Sequence, residues 1–215
     1  TIHANFEKEF GIPFEDFRAL DLAGTQNDSA EAIYNPEKYL LYCDPFMGQF
    51  DNRVKPADAA GYANCAARLA VYADHAEYGY LFRSLRALCA FLSVKADLGI
   101  RTRAAYLSGD KKAAKALCTD YDAAVERLDV FYAAYEQQWM HENKPQGFDV
   151  VDLRIGGQRQ RLLHCRDRLL AYAEGRLDRI EELEEPVLDC CCEEKADGQA
   201  TRAIFWHEIA SANVI

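Results

Sequence analysis

Few of the acidic, histidine and cysteine side chains in this sequence are spaced as a catalytic or metal-binding site requires. His141-Glu142 and His207-Glu208 each begin like the helical zinc motif His-Glu-x-x-His, but neither has the second histidine three residues after the glutamate. No glycine-rich phosphate loop, Gly-x-Ser-x-Gly elbow or recognisable acid-base pair of carboxylates occurs. We therefore predict no catalytic, cofactor-binding or metal-binding residue, and no cofactor.

The eight cysteines divide into isolated residues and one cluster. Cys65, Cys89, Cys118 and Cys165 each lie among apolar neighbours in helical sequence, which predicts small core residues and favours a reducing compartment such as the cytoplasm. Cys190–Cys192 form a triplet, and the side chains of three adjacent residues can hardly converge on one metal ion. Free thiols in a loop or short strand are one interpretation of the triplet, and a metal or redox site is the other.

The charge of the chain narrows the range of partners. The formal net charge is -10 and the isoelectric point is about 5.0, whereas nucleic acid and anionic membranes are bound by basic surfaces. No apolar run approaches the ~20 residues that span a bilayer. We therefore expect neither nucleic acid nor a membrane as partner. Because the sequence begins at Thr1 without an initiator methionine, we also expect a part of a longer polypeptide.

The spacing of apolar residues predicts a mainly α fold, an up-and-down bundle of long helices. Three- and four-residue steps recur between Cys65 and Ala76, between Leu81 and Ala96, and between Leu162 and Tyr172. The most regular stripe consists of Leu117, Tyr121, Val125, Leu128, Tyr132, Tyr135 and Trp139. Such a stripe is typical of a bundle core rather than a cofactor site.

Shorter elements complete the prediction. An amphipathic pattern over residues 6–20 is broken at Gly11 and Pro13, a loop follows over residues 21–34, and Pro36 begins a short helix. Another short helix covers residues 177–183. Little or no β structure is expected near the C-terminus, at most a strand at residues 203–206 paired with 187–188. We divide the chain into a connecting segment, residues 1–34, and a helical accessory domain, residues 35–215.

The segment between the last two long helices, residues 139–157, is dense in residues that a plain linker would not use, and we name it the corner segment. Pro145 and Gly147 should end the helix before it, with Asn143 and Lys144 in its last turn. Residues 148–152 are predicted to be extended or irregular, with the next helix after Gly156-Gly157. In an extended chain Asp152 and Arg154 would face the same side, where they could pair or bind across an interface.

Three stretches of the sequence form a recognisable set: ENKPQGFDVVDLRIGG at residues 142–157, KADLGIRTRAAY at residues 95–106 with Gly109-Asp110 after it, and YLLYCDP at residues 39–45. Trp206 and Ile209 near the end belong to the same set. Together they resemble the C-terminal helical region of bacterial β-N-acetylhexosaminidases of glycoside hydrolase family 20, and the resemblance runs from about residue 35 to the end.

The resemblance implies a parent enzyme that removes terminal β-linked N-acetylglucosamine or N-acetylgalactosamine. In such enzymes the acetamido oxygen of the substrate attacks the anomeric carbon, helped by an Asp-Glu dyad on a catalytic barrel, unlike the two-carboxylate scheme. The present sequence contains no Asp-Glu dipeptide, so the chain alone should be inactive. It would pack on the absent barrel and could form a homodimer. Candidate contacts are Tyr34, Phe46 and Trp139, with Asn143, Lys144, Asp152 and Arg154 as polar anchors.

A free-standing helical domain that binds another protein is the alternative hypothesis. Trp and Arg are frequent anchors of such interfaces, and an apolar helix face could accept a partner helix. The reading frame upstream of Thr1 distinguishes the two hypotheses, because the hydrolase requires several hundred preceding residues that include an Asp-Glu dyad.

Overall fold

The computed structural model describes residues 2–25, 36–55 and 58–187, and within them the chain is a helical bundle without strands, which confirms the predicted fold class. None of these described helices is long and apolar enough to cross a membrane. Short 3-10 turns lie at Arg18–Asp21, Asp51–Arg53 and Ala70–Tyr72. The helices are α1 (Ile2–Phe10), α2 (Phe14–Phe17), α3 (Pro36–Tyr42), α4 (Asp58–Leu69), α5 (Gly79–Lys95), α6 (Leu98–Leu107), α7 (Lys111–Glu142), α8 (Phe148–Ala173) and α9 (Glu181–Glu184).

Helix α7 is the longest element, at 32 residues or ~48 Å, and packs against α5 on one side and α8 on the other. The Asp110 carboxylate caps its first turn by accepting a hydrogen bond from the Ala113 amide at 2.9 Å. Of the predicted stripe, the first four residues are buried and the three aromatic residues after them are partly buried. The stripe is therefore core, as predicted.

Buried cysteines and the second half of α8 also follow the sequence prediction. Cys65, Cys89, Cys118 and Cys165 are buried within the common core and form no disulfide among the described residues. The inward positions of α8, Leu162, Cys165, Leu169 and Tyr172, are buried against it as well. The predicted short helix at residues 177–183 is helical only from Glu181, although Ile180 and Leu183 are buried.

Helix α8 begins at Phe148, so the prediction of an extended or irregular segment over residues 148–152 and a helix only after Gly156-Gly157 is wrong. Gly147 adopts the left-handed conformation, with φ of 95°, and its amide donates to the Asp149 carboxylate at 3.1 Å. Phe148 and Ile155 are buried on the inner side of this first part of α8. Their burial favours helix over the weak propensity of the paired glycines.

The N-terminal elements pack on the same core. The helix is interrupted at Gly11–Pro13, between α1 and α2, as predicted. The Phe6 ring contacts the rings of Phe10, Phe14 and Phe17 at centroid distances of 4.5, 5.3 and 5.5 Å. Ile12, Ala19 and Ala23 are buried in the common cluster. The domain boundary after residue 34 stays a prediction. Tyr34, the predicted strand at residues 203–206, Trp206, Ile209 and the Cys190–Cys192 triplet lie outside the described residues.

Candidate functional site

The corner segment is held together by Trp139. Its indole nitrogen donates to the Lys144 carbonyl at 2.9 Å, while the Asn143 amide donates to the Trp139 carbonyl at 2.8 Å. The ring also covers Gly147, where an added Cβ would lie 3.5 Å from Trp139 Cζ2, and contacts Phe148 at a centroid distance of 5.8 Å. The indole is partly buried and its nitrogen forms a hydrogen bond at the edge, so the ring closes the corner.

Asn143 and Lys144 lie just outside the helix rather than in its last turn. Helix α7 ends at Glu142, and Asn143 has extended backbone angles, φ of -128° and ψ of 168°. Both residues are exposed. Their suggested role as anchors for a partner stays a prediction.

Asp152 and Arg154 do not face the same side, because the segment is helical and two residues differ by about 200° around a helix. Asp152 turns towards α7, where its carboxylate accepts a hydrogen bond from the Tyr132 hydroxyl at 2.7 Å and raises the pKa of Tyr132 to about 12. Arg154 turns instead towards α3. The predicted pairing of these two side chains is therefore wrong.

Arg154 lines a cleft of about 310 Å³ between α3, α5, α7 and α8, which we name the Arg154 cleft. Helix α3 provides four of its residues, helix α5 one, helix α7 two and helix α8 three. In chain order they are Glu37, Lys38, Leu41, Tyr42, Leu88, Phe131, Tyr135, Val151, Arg154 and Ile155. Most of these side chains are apolar or aromatic.

Two polar groups that line the Arg154 cleft have a buried atom without a hydrogen-bond partner among the described residues. The Nε atom of Arg154 is buried and donates to no acceptor among the described residues. Burial raises the pKa of Tyr42 to about 12, although the nearby charge of Arg154 acts in the opposite direction. Burial also raises the pKa of Glu37, and one of its carboxylate oxygens has no hydrogen-bond donor in the described structure. The cleft thus holds a guanidinium whose buried N–H is unsatisfied.

A strip of exposed apolar and small residues runs along α8 beside the cleft. Val150, Leu153 and Gly156 are three residues apart and share one face, which we name the α8 shoulder. Val150 is 39% exposed and Leu153 is 57% exposed. A Cβ added at Gly156 would meet nothing within 4 Å. Within the described part of the chain, no packing requirement explains a glycine at this position.

We expect Gly156→Ala to stabilise the isolated chain by about 0.5–1 kcal/mol, because alanine has less backbone entropy to lose in a helix and the site has room for a methyl group. Urea denaturation followed by circular dichroism measures the change. Gly99→Ala is the matched control, since an added Cβ there would lie 2.9 Å from the Pro45 carbonyl oxygen. That substitution should destabilise the chain. A loss of stability on substituting Gly156 would contradict the open environment of this residue.

Phe46 is another residue predicted to contact the catalytic barrel, but its side chain presents no surface for such a contact. It is fully buried, and the Arg161 guanidinium lies over its ring at 5.5 Å.

Conversely, sequence reasoning did not single out Glu37, Lys38 or Tyr42 as members of a site. No local spacing signals them, because they meet Arg154 only through the packing of α3 on the bundle. Among the described residues, no three metal-ligating side chains converge.

Comparison with known proteins identifies the kind of domain. No curated protein matches the chain. The family model described as the Glycoside Hydrolase 20C C-terminal domain matches residues 13–202, which include helices α2 to α9 and the Arg154 cleft. On the strength of this match, which covers most of the sequence, the chain belongs to the Glycoside Hydrolase 20C C-terminal domain family.

Proposed function

We propose that the chain is the non-catalytic C-terminal domain of an exo-β-N-acetylhexosaminidase, an enzyme that removes terminal N-acetylglucosamine or N-acetylgalactosamine from glycans. The family match over residues 13–202 carries this proposal. The sequence supports a non-catalytic role because it contains no Asp-Glu dipeptide and no other recognisable acid-base arrangement. The chemistry would then belong to a catalytic barrel in the same polypeptide.

The domain would support that barrel by packing against it. The α8 shoulder and the adjoining Arg154 cleft are the best-supported contact region, since they combine exposed apolar side chains, an open glycine and an arginine without an ion pair among the described residues. The corner segment lies at the start of the same helix, with Asn143 and Lys144 exposed beside it. These features support an interface formed by one end of α8.

The experiment compares the purified chain with the purified parent protein on a chromogenic β-N-acetylglucosaminide. We expect no turnover by the chain and clear turnover by the parent, because only the parent would contain the dyad. The parent with its Asp-Glu dyad replaced by Asn-Gln is the control for contaminating activity. Turnover by the purified chain, or none by a folded parent, would contradict the proposal.

A further inference from the structure

We propose that the Arg154 cleft receives a carboxylate side chain from an apolar segment of the catalytic barrel, and that Arg154 binds this carboxylate. The inference rests on the proposed function for the identity of the partner, whereas the chemistry of the binding group follows from the cleft itself. Four observations lead to it: the state of Arg154, the size of the cleft, its charge, and the α8 shoulder beside it.

Arg154 differs from the other arginines of α8 that the structure describes. Arg159 binds Asp129 through Nε at 2.7 Å, and Arg161 binds Asp44 through Nε at 2.6 Å. Arg166 binds Asp122 and Asp167, and Arg168 binds Glu181 and Glu182. Arg154 forms no ion pair among the described residues. Its Nε is buried without an acceptor, but so is the Nε of Arg168, and the missing ion pair is therefore what distinguishes Arg154. A guanidinium without an ion pair on the wall of a cleft is available to an acidic group that enters the cleft.

The dimensions of the cleft indicate what that acceptor can be attached to. Its volume of about 310 Å³ lies at the lower end of the ~300–1,000 Å³ typical of ligand pockets. Leu41, Leu88, Phe131, Val151 and Ile155 provide apolar walls around the guanidinium. Such a space accommodates one or two side chains of a docked segment, with an aliphatic stem against the walls and a polar end at Arg154.

The charge of the cleft selects a carboxylate. Arg154 and Lys38 are basic, in a chain whose formal net charge is -10. The acidic residue of the lining is Glu37, and burial raises the pKa of its carboxyl group and so favours the neutral form. Its unsatisfied oxygen lies against Gly24, 3.7 Å from the position of an added Cβ there. A planar carboxylate fits the fork of donors on a guanidinium.

The α8 shoulder indicates the surroundings of that carboxylate on the partner. Val150 lies one turn before Arg154, and Leu153 is its direct neighbour in the chain. A segment that places a carboxylate on Arg154 would therefore cover two exposed apolar side chains. The partner segment should thus be an Asp or Glu flanked by apolar residues.

Carbodiimide cross-linking of the full parent protein tests the proposal, because it joins an amine to a carboxylate only when the two are in contact. In the Arg154→Lys variant, we expect mass spectrometry to find position 154 joined to an Asp or Glu of the barrel in the same polypeptide. Arg159→Lys is the matched control on the same helix, and should give a cross-link to Asp129. A cross-link at position 154 to Glu37, or to a second copy of the chain, would overturn the proposal. So would no cross-link at position 154 when the control succeeds.

A second measurement separates docking from a purely structural role. Arg154→Gln should speed amide hydrogen exchange at the start of α8 at least tenfold in the parent, and leave it unchanged or slower in the isolated chain, where no partner is lost. Arg159→Gln should give less than a threefold change in either protein. Equal effects of Arg154→Gln in the two proteins would overturn the proposal. Turnover by the parent is measured independently, so an active parent without these effects would refute the carboxylate contact and leave the proposed function standing.

Discussion

Replacing Asp44 with alanine is expected to lower the free energy of unfolding by about 3 kcal/mol, because its carboxylate fastens α8 to the loop after α3. One oxygen accepts hydrogen bonds from the amides of Phe46 and Met47, at 2.9 and 3.0 Å. The pair of oxygens also binds the Arg161 guanidinium at 2.6 and 3.2 Å. The Asp44 side chain is only 12% exposed, so alanine would leave the guanidinium and both amides short of an acceptor.

The effect should depend on pH in a defined direction. Burial by itself would raise the pKa of Asp44, but the hydrogen bonds and charge of Arg161 outweigh it and hold the pKa below the usual value of 3.8. A lowered pKa in the folded state contributes stability above about pH 4, and this stability is lost as the pH falls through the folded value. Urea denaturation at pH 7 and in acid should therefore show the difference between wild type and Asp44→Ala shrinking in acid.

The control for Asp44 is Asp129, which pairs with Arg159 on the surface. Both partners of that pair are roughly half exposed, at 49% and 45%, so Asp129→Ala should cost less than about 1 kcal/mol. Similar losses for the two variants would mean that burial does not strengthen the Asp44 contacts. A constant difference across the pH range would contradict the lowered pKa.

Sequence periodicity predicted the long helices because their core contacts repeat along one face. The stripe of α7 and the inner positions Leu162, Cys165, Leu169 and Tyr172 of α8 lie at steps of three and four, and a helix is the structure that buries such steps together. These contacts are encoded locally, within a few turns. The bundle could therefore be predicted without knowledge of which helix packs on which.

The start of α8 was predicted wrongly because local signals there oppose the tertiary ones. Pro145 and Gly147 end α7, and paired glycines at 156 and 157 are typical of a helix boundary. The structure overrides that signal because Phe148 packs near Trp139 and the Tyr132 ring, at centroid distances of 5.8 Å in each case. Those contacts join two helices and have no counterpart in the spacing of a single segment.

The candidate site could be predicted only in part for a related reason. Arg154 was selected because arginine is a frequent interface anchor, but its surroundings depend on α3, which is distant in the chain. The prediction placed it on the same side as Asp152, two residues away in an extended segment, where the two could pair or bind across an interface. Once the segment is helical, Asp152 faces Tyr132 and Arg154 is left with a cleft that only the packed bundle forms.

Lys95→Met is expected to cost about 3 kcal/mol of unfolding free energy, since it removes two hydrogen bonds from a buried site. The Lys95 ammonium is only 3% exposed and donates to the carbonyl oxygens of Leu40, at 2.8 Å, and Cys43. These carbonyls belong to the last turn of α3 and the residue after it, where no further helical turn supplies a donor. Methionine would preserve most of the volume while leaving both oxygens unsatisfied.

Lys112→Met is the control, because Lys112 is an exposed lysine in the first turn of α7, and its substitution should change stability by less than about 0.5 kcal/mol. Urea denaturation measures both variants, and hydrogen exchange locates the loss. Exchange should rise most in α3, whose Leu41 and Tyr42 form one wall of the Arg154 cleft. If the Lys95 variant were as stable as the Lys112 variant, Lys95 would not hold α3 in place. The position of that cleft wall would then depend on the other contacts of α3, among them its packing against α5.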